Sequence, residues 1–362
     1  MDKLVRKQVL NTAKYVAGKP INEVKRELGV EEVIKLASNE NPLGCSDKVK
    51  EAIKTLTDNI ALYPDSGNFE LKTAIGEKFN VPKEKIFCGA GSDSLIMEIC
   101  NTFLNEGEES IMAEVTFPRY EAGTKLMGAE CVKVPMKDHG LDIEKMVDAI
   151  TDKTKIIWFC NPNNPTGTIT TKEEFMKVLD KIPSRVIIVM DEAYVEYVEN
   201  KDFPNSLELL EKYPNMIVLR TFSKGYGLAA LRCGYGIANE EIVQYVSRII
   251  NPFDVNLYAQ VAAVAAIKDD EFLKRTLDMN REGKEYLYKE FKDMGFDYIE
   301  SHTNFIMVNL NRDDKPISDG LLKKGIIIRS GYLLGMPNWL RISIGTMEQN
   351  EKLIQAMKEL IK

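Results

Sequence analysis

Up to about residue 255, short apolar runs alternate with longer stretches of helical period. The apolar runs are Lys85–Cys88, Ser110–Ala113, Lys155–Cys160, Val186–Met190, Met216–Leu219 and Cys233–Ala238, all of strand length. Between them, Ser94–Phe103, Lys172–Lys181 and Glu241–Ile250 repeat apolar residues with the spacing of a helix face. Strands alternating with helices predict an α/β fold, with a mostly parallel sheet covered on both faces. The run VIIVM at Val186–Met190 is apolar at every position, as a central strand buried on both sides requires.

Beyond residue 255 the pattern changes. A long charged helix is expected over Asp270–Met294. Short strands follow at Phe305–Leu310, Ile326–Arg329 and Leu340–Ile344, then an amphipathic helix over Glu348–Ile361. This predicts a smaller α+β domain after the large one. The expected division is an N-terminal segment 1–39, a large domain 40–255 and a small domain 256–362. No Gly/Ser linker or internal repeat separates the parts.

Composition narrows the function. The chain has 362 residues, 44% of them hydrophobic, enough for a large core in two domains. A net charge of -7 argues against a nucleic-acid partner, which calls for a basic face. The six cysteines are scattered without a C-x-x-C pair, and the two histidines leave little material for a metal site. The start MDKLVRKQVL lacks a signal-peptide core, and no window has the roughly 18 apolar residues of a membrane span. A soluble cytoplasmic protein with no membrane partner is expected.

Four segments carry candidate chemistry. In LRTFSKGYGLAALRCGYG, Leu219–Gly236, a strand runs into Thr221, Ser223 and Lys224, then small residues and Arg232. A lysine between hydroxyls also suits a solvated loop. The small, apolar, Gly-rich surroundings favour a desolvated amine, whose pKa falls and whose nitrogen becomes nucleophilic. Arg232, Thr221 and Ser223 suit a phosphate. In FCNPNNPTGT, Phe159–Thr168, two Asn-Pro steps make a rigid turn from which Asn164 can donate to a phenolate oxygen. In VMDEAYVEY, Val189–Tyr197, Asp191 follows a buried strand at the sheet's carboxyl edge, where such sheets bind ligands. It suits either a turn cap or a partner for a protonated pyridine nitrogen. In IFCGAGSDSLIMEI, Ile86–Ile99, glycines lead into Ser92 and Asp93 at a helix start. The backbone N–H groups there can bind a phosphate, or either side chain can simply cap the helix.

In the order GAGSD, NPNNPTG, DEAY, TFSKGYGLAALRCGY, these segments resemble the class I/II aminotransferases of the type I pyridoxal-phosphate fold, over nearly the whole chain. The flanks YVAGKPINEVKRELG, KLASNENPLG, LYPD, TFPRYE and WLRISIGT resemble the branch of that family acting on histidinol phosphate. The resemblance implies a large domain with a mostly parallel seven-stranded sheet between helices. It implies pyridoxal 5'-phosphate held as a Schiff base by Lys224, which later moves the proton. Asp191 would pair with the pyridinium nitrogen, Asn164 and Tyr194 would contact the phenolic oxygen, and Phe117 would stack on the ring. Ser92, Asp93, Thr221, Ser223 and Arg232 would surround the phosphate. Tyr63 would reach the phosphate in the neighbouring subunit, making a homodimer with shared sites. Arg341 and Arg329 would hold substrate anions, with Tyr15 and Asn39 near the substrate. The implied reaction is ping-pong amino transfer between the phosphorylated amino alcohol L-histidinol phosphate and 2-oxoglutarate, yielding imidazole acetol phosphate and glutamate.

The sequence departs from the pattern at Gly225, Val195 and Ser94, where alanine, tyrosine and an acid are common. Gly225 would loosen the lysine loop. Three other readings stay open: an aromatic or dual-specificity aminotransferase, a pyridoxal-phosphate decarboxylase of a phosphorylated amino acid, and a non-catalytic scaffold on the same fold.

Overall fold

The computed structural model describes residues 2–12, 14 and 18–361. Thirteen strands occur among them in chain order: β1 Ile34–Lys35, β2 Ile86–Gly89, β3 Glu109–Ala113, β4 Glu130–Val134, β5 Thr154–Cys160, β6 Ile187–Asp191, β7 Met216–Thr221, β8 Gly234–Ala238, β9 Asp297–Ile299, β10 Phe305–Asn309, β11 Ile326–Ile327, β12 Arg329–Ser330 and β13 Trp339–Ser343. Seven of them form one sheet in the order β2-β8-β7-β6-β5-β3-β4. Neighbours are parallel except β8, which runs antiparallel to both β2 and β7.

Alternation along the central strands explains why this sheet lies between two helical layers. On β5, Ile157 and Phe159 join one apolar cluster, while Ile156, Trp158 and Cys160 join the other. On β7, Met216 and Val218 face the first cluster, and Ile217 and Leu219 the second. Successive strand side chains point to opposite faces, so a run apolar at every position needs cover on both. Helices Phe69–Phe79 and Leu257–Ile267 contribute to the first layer, and Ser92–Phe103 and Glu240–Ser247 to the second. Each fully enclosed Ile, Leu or Phe contributes about 1.5–3 kcal/mol relative to exposure.

A second sheet, β12-β13-β10-β9, is antiparallel throughout. It shares an apolar cluster with helices Asp270–Asp293, Lys315–Lys323 and Met347–Ile361. Ile34 and Leu36 from early in the chain join this cluster, and β1 pairs in parallel with β11.

Several local expectations need correction. The single strand expected over Ile326–Arg329 is two: β11 pairs with β1, whereas β12 pairs with β13 in the other sheet. Chain that serves two sheets must turn between them. The helix expected over Lys172–Lys181 is α-helical only to Val178 and tightens into a 3-10 turn, Leu179–Lys181. Strand β4 went unpredicted because its burial is that of an edge, with only Val134 buried. The six cysteines are all free thiols.

Candidate functional site

Parallel strands place their carboxyl ends along one edge, and the registers of β5, β6 and β7 set Cys160 beside Asp191 and Asp191 beside Leu219. A cavity of about 420 Å³ opens there. The small sheet closes its other side, bringing Arg329 and Arg341 into the lining.

Lys224 follows β7 on a tight loop. Its Nζ donates to the backbone carbonyl of Ser38 at 3.3 Å and lies 5.7 Å from the centre of the Tyr194 ring. The side chain is half-buried, its remaining surface turned to the cavity. Burial, then the charge of Arg341, pushes the amine down to about 8. The loop is pinned from outside, for Asn41 Nδ2 donates to the Gly225 carbonyl at 3.1 Å. Gly225 therefore does not loosen it: a Cβ there would lie 3.2 Å from Leu273 and 3.3 Å from Glu196, so the glycine allows close packing.

Asp191 ends β6 and is 3% exposed. The Tyr120 hydroxyl donates to Oδ2 at 2.6 Å, and the Ala193 N–H to Oδ1 at 3.2 Å. Burial pushes its carboxyl up to about 6 against these two donors. Among the described residues no basic side chain pairs with it.

Tyr194 lies above this floor. Its hydroxyl accepts from Asn39 Nδ2 at 2.9 Å and from Asn164 Nδ2 at 3.3 Å. Asn39 is locked in place: Ser343 Oγ donates to its Oδ1 at 2.9 Å, and Asn304 Nδ2 to its carbonyl at 3.0 Å. Arg341 Nη1 donates to Asn164 Oδ1 at 2.7 Å, and its Nη2 to the Ala37 carbonyl at 2.7 Å. The turn holding Asn164 has cis peptide bonds before Pro162 and Pro165. Burial keeps the Tyr194 hydroxyl protonated well beyond the usual phenol range.

At the far end of the cavity, the helix Ser92–Phe103 presents its N-terminus. The cap position falls to Gly91 at φ 90°, so neither Ser92 nor Asp93 is the cap, contrary to that reading. Asp93 instead pairs with Arg119 at 2.7 Å, leaving its N–H as the group at the helix end. Arg232, itself at φ 58°, donates from Nη1 to the Ala229 carbonyl at 2.9 Å and to Ser223 Oγ at 3.4 Å. The Thr221 hydroxyl accepts from Ser223 N at 3.1 Å and donates to the Cys233 carbonyl at 3.3 Å. A Cβ at Gly91 would meet Arg232 Nη2 at 2.6 Å, and one at Gly234 would meet the Gly91 carbonyl carbon at 2.7 Å. Only glycines let helix end, strand end and arginine converge so closely.

Arg329 and Arg341 are cross-strand partners on β12 and β13, both largely buried. Phe117 is half-buried on the cavity wall, edge-on to Tyr120 at 5.8 Å. Tyr63 is apart from these groups, 82% exposed and stacked on Phe253 at 4.5 Å. Tyr15 lies outside the described residues.

Sequence reasoning missed Tyr120, the donor to Asp191, and the carbonyls of Ser38 and Ala37. It also missed Leu333 and Leu334, which line the cavity from the turn Gly331–Leu334. Tyr120 stands in the quoted TFPRYE, yet its period reads as helix core. Carbonyl acceptors leave no mark in a sequence.

The donor set fits pyridoxal phosphate on three counts. Asp191 is a buried carboxylate with room for a cationic ring nitrogen. The Tyr194 hydroxyl accepts two amide donors, and among the described residues nothing accepts its own proton, which is free for a ring oxygen. The glycine-lined cradle of helix N-terminus, Ser223 and Arg232 is anion-seeking.

Comparison with known proteins agrees. The sequence profile of the family described as Aminotransferase class I and II matches residues 31–357. A Caldicellulosiruptor saccharolyticus protein named histidinol-phosphate aminotransferase is 45% identical, the match covering 99% of this chain and 100% of that protein. One of the same name from Brevibacillus brevis is 47% identical over 98% of each. The crystal structure of the histidinol-phosphate aminotransferase of Sinorhizobium meliloti, in complex with pyridoxal-5'-phosphate, superposes with a TM-score of 0.92 at 26% identity, covering 99% of this chain and 97% of that one.

Proposed function

This chain belongs to the class I and II aminotransferases, and from that premise we propose that it transfers the amino group of L-histidinol phosphate to 2-oxoglutarate. The products are imidazole acetol phosphate and L-glutamate, and the step serves histidine biosynthesis. The observation carrying the substrate assignment is the register pair Arg329 and Arg341, two largely buried guanidinium groups in the wall of the cavity that holds Lys224. A guanidinium fork matches phosphate and carboxylate alike, so one pair serves both substrates in turn.

Pyridoxal 5'-phosphate, when bound, supplies an aldehyde carbon for amines and a conjugated ring that takes up the electrons left by a departing proton. The residues of this chain do the rest. Lys224 Nζ, pushed down to about 8, holds an appreciable neutral fraction near pH 7, which lets it act as nucleophile and then as base. As the base it takes the proton from the amine-bearing carbon of the substrate and delivers it further along the cavity. Asp191, as a carboxylate, would keep the ring nitrogen protonated, and Tyr194 with Asn164 would bind the ring oxygen. Phe117, on the cavity wall, would cover the ring. Ser92 and Asp93 through their N–H groups, with Thr221, Ser223 and Arg232, hold the phosphate. Asn39 fixes Tyr194 and borders the substrate, and Tyr15 is assigned beside it.

We also propose a cytoplasmic homodimer. Its support is the apolar surface around Tyr63, where Ile60 and Leu62 are 67% and 68% exposed. In that dimer Tyr63 reaches the partner's cofactor phosphate. The division into 1–39, 40–255 and 256–362 is proposed on the separate apolar cluster around the antiparallel sheet. Light scattering on the purified protein tests the dimer, and fractionation tests the location.

The test of function is a single half-reaction. The loaded protein is mixed with histidinol phosphate, and separately with phenylalanine or tyrosine, and conversion to pyridoxamine phosphate is followed by absorbance. Selective conversion by histidinol phosphate is expected. Equal or faster conversion by the aromatic amino acids overturns the substrate assignment.

A further inference from the structure

Asp191 is so enclosed that its charge and direction are decided by neighbours rather than by water. The titratable groups around it are Tyr120, Cys160 on β5, Glu192 next along β6, Asp93 at the helix start and Tyr194. None of these is a cation. Among the described residues the Tyr120 hydroxyl is the only side-chain donor to the carboxylate, and the Ala193 N–H is the only backbone donor.

Tyr120 is itself held rigidly. Its ring lies parallel to that of Trp158, centroids 4.7 Å apart and planes 11° from parallel. Trp158 Nε1 donates to Ser110 Oγ at 2.8 Å, which stops the indole from turning. Phe117 meets the tyrosine edge-on from the cavity side. Both stacked rings are fully buried. Burial, and then the charge of Asp191, holds the Tyr120 hydroxyl protonated far above the usual phenol range, so it donates permanently.

We infer that Tyr120 is a positioning residue for the reaction: its hydroxyl, fixed by the Trp158 stack, keeps Asp191 ionised and turned toward the cavity. The inference rests on the proposed cofactor chemistry, in which that carboxylate pairs with a protonated ring nitrogen. Burial pushes Asp191 up to about 6 even with its donors in place, and the Tyr120 hydroxyl is the largest influence holding it from rising further. Loss of one hydrogen bond to a charged group is worth roughly one to two pH units. That moves the midpoint to neutrality or beyond, where half or more of the carboxyl groups carry a proton. A neutral carboxyl cannot balance a cationic nitrogen.

Tyr120→Phe keeps the ring and its stack and removes only the donor. The first readout needs no cofactor: proteins labelled with 13C at aspartate carboxyls are titrated by NMR, and the Asp191 signal is identified by its loss in Asp191→Asn. The midpoint is expected to rise by about 1–2 units in Tyr120→Phe. A rise below about 0.3 units, smaller than any hydrogen bond to a charge produces, overturns the inference. The second readout is the half-reaction in Tyr120→Phe, Asp191→Asn and the double variant. Tyr120→Phe should slow conversion about 10–100-fold with little change in KM, and should add little once Asp191 is Asn. Equal slowing in both backgrounds marks a merely structural tyrosine and overturns the inference. If the parent fails to convert histidinol phosphate while the midpoint shifts as stated, the substrate reading falls and the titration still supports the role of Tyr120.

Discussion

Removing the guanidinium of Arg220 should destabilise the protein in a pH-dependent way that can be worked out beforehand. Arg220 and Glu192 sit on β7 and just beyond β6, next to Thr221 and Asp191. Arg220 Nε and Nη2 both donate to Glu192 Oε2, at 2.9 and 2.7 Å, while Glu192 is 0% exposed and its Oε1 has no partner. The guanidinium also lies 4.7 Å from the centre of the Phe79 ring. In Arg220→Met the carboxylate is left buried without a counter-charge, a change that typically costs about 3–5 kcal/mol. The penalty has a ceiling, because a stranded carboxylate can take up a proton. From the ordinary glutamate range that uptake costs about 1.4 kcal/mol per pH unit, roughly 3–4 kcal/mol at pH 7 and only ~1 kcal/mol at pH 5. Urea unfolding of the cofactor-free protein at one fixed concentration, at both pH values, measures it. The double variant Arg220→Met with Glu192→Leu removes both charges and should regain most of the loss. A single variant within about 1 kcal/mol of the parent at pH 7, or a penalty unchanged by pH, refutes the reasoning.

Other outcomes follow from the same geometry. Burial pushes Asp191 up to about 6, and Glu98 and Glu196 up to about 7. The folded state then binds protons more tightly than the unfolded chain, so cofactor-free stability should fall as pH rises from the ordinary carboxyl range, ~4.5, through about 7. Glu98→Gln should flatten that fall, and a urea midpoint that climbs over the interval contradicts the assignment. Gly234→Ala drives a methyl into the helix end of the proposed phosphate cradle. It should weaken pyridoxal phosphate about 10–100-fold in an absorbance titration, with the circular dichroism unchanged. Arg341→Ala removes the proposed anion contact together with the hydrogen bond to Asn164. It should raise KM for histidinol phosphate and glutamate alike, and unchanged kinetics for both would remove it from the substrate site.

The order of the large sheet was not readable from the chain. Six of its seven strands announced themselves by apolar runs and the edge strand β4 did not, while β8 enters between β2 and β7 against the direction of both. Nothing in GYGIA states that reversal, because direction is set by where the preceding loop delivers the strand. The small strands were harder still. Ile34–Lys35 is too short to show a period, and its pairing with Ile326–Ile327 spans nearly the whole chain.

The candidate residues that line the cavity stand in distinctive local sequence. Lys224 sits among small residues, Asn164 between prolines, Asp191 at the end of a strand apolar on both faces, and Ser92 after glycines. Local order thus determined the alternating α/β pattern, the four chemical segments and the change of character near residue 255. Tertiary structure alone decided their mutual reach. It brought Arg341 onto Asn164 across 177 positions and Asn39 onto Ser343 across 304, and it aimed the Tyr120 hydroxyl at Asp191. Hydrophobic patterning specifies which face of an element is buried, because burial scales with area and not with direction. Hydrogen bonds and charge pairs depend on ångström-scale distance and angle, and those exist only once the two sheets have closed on the segment between them.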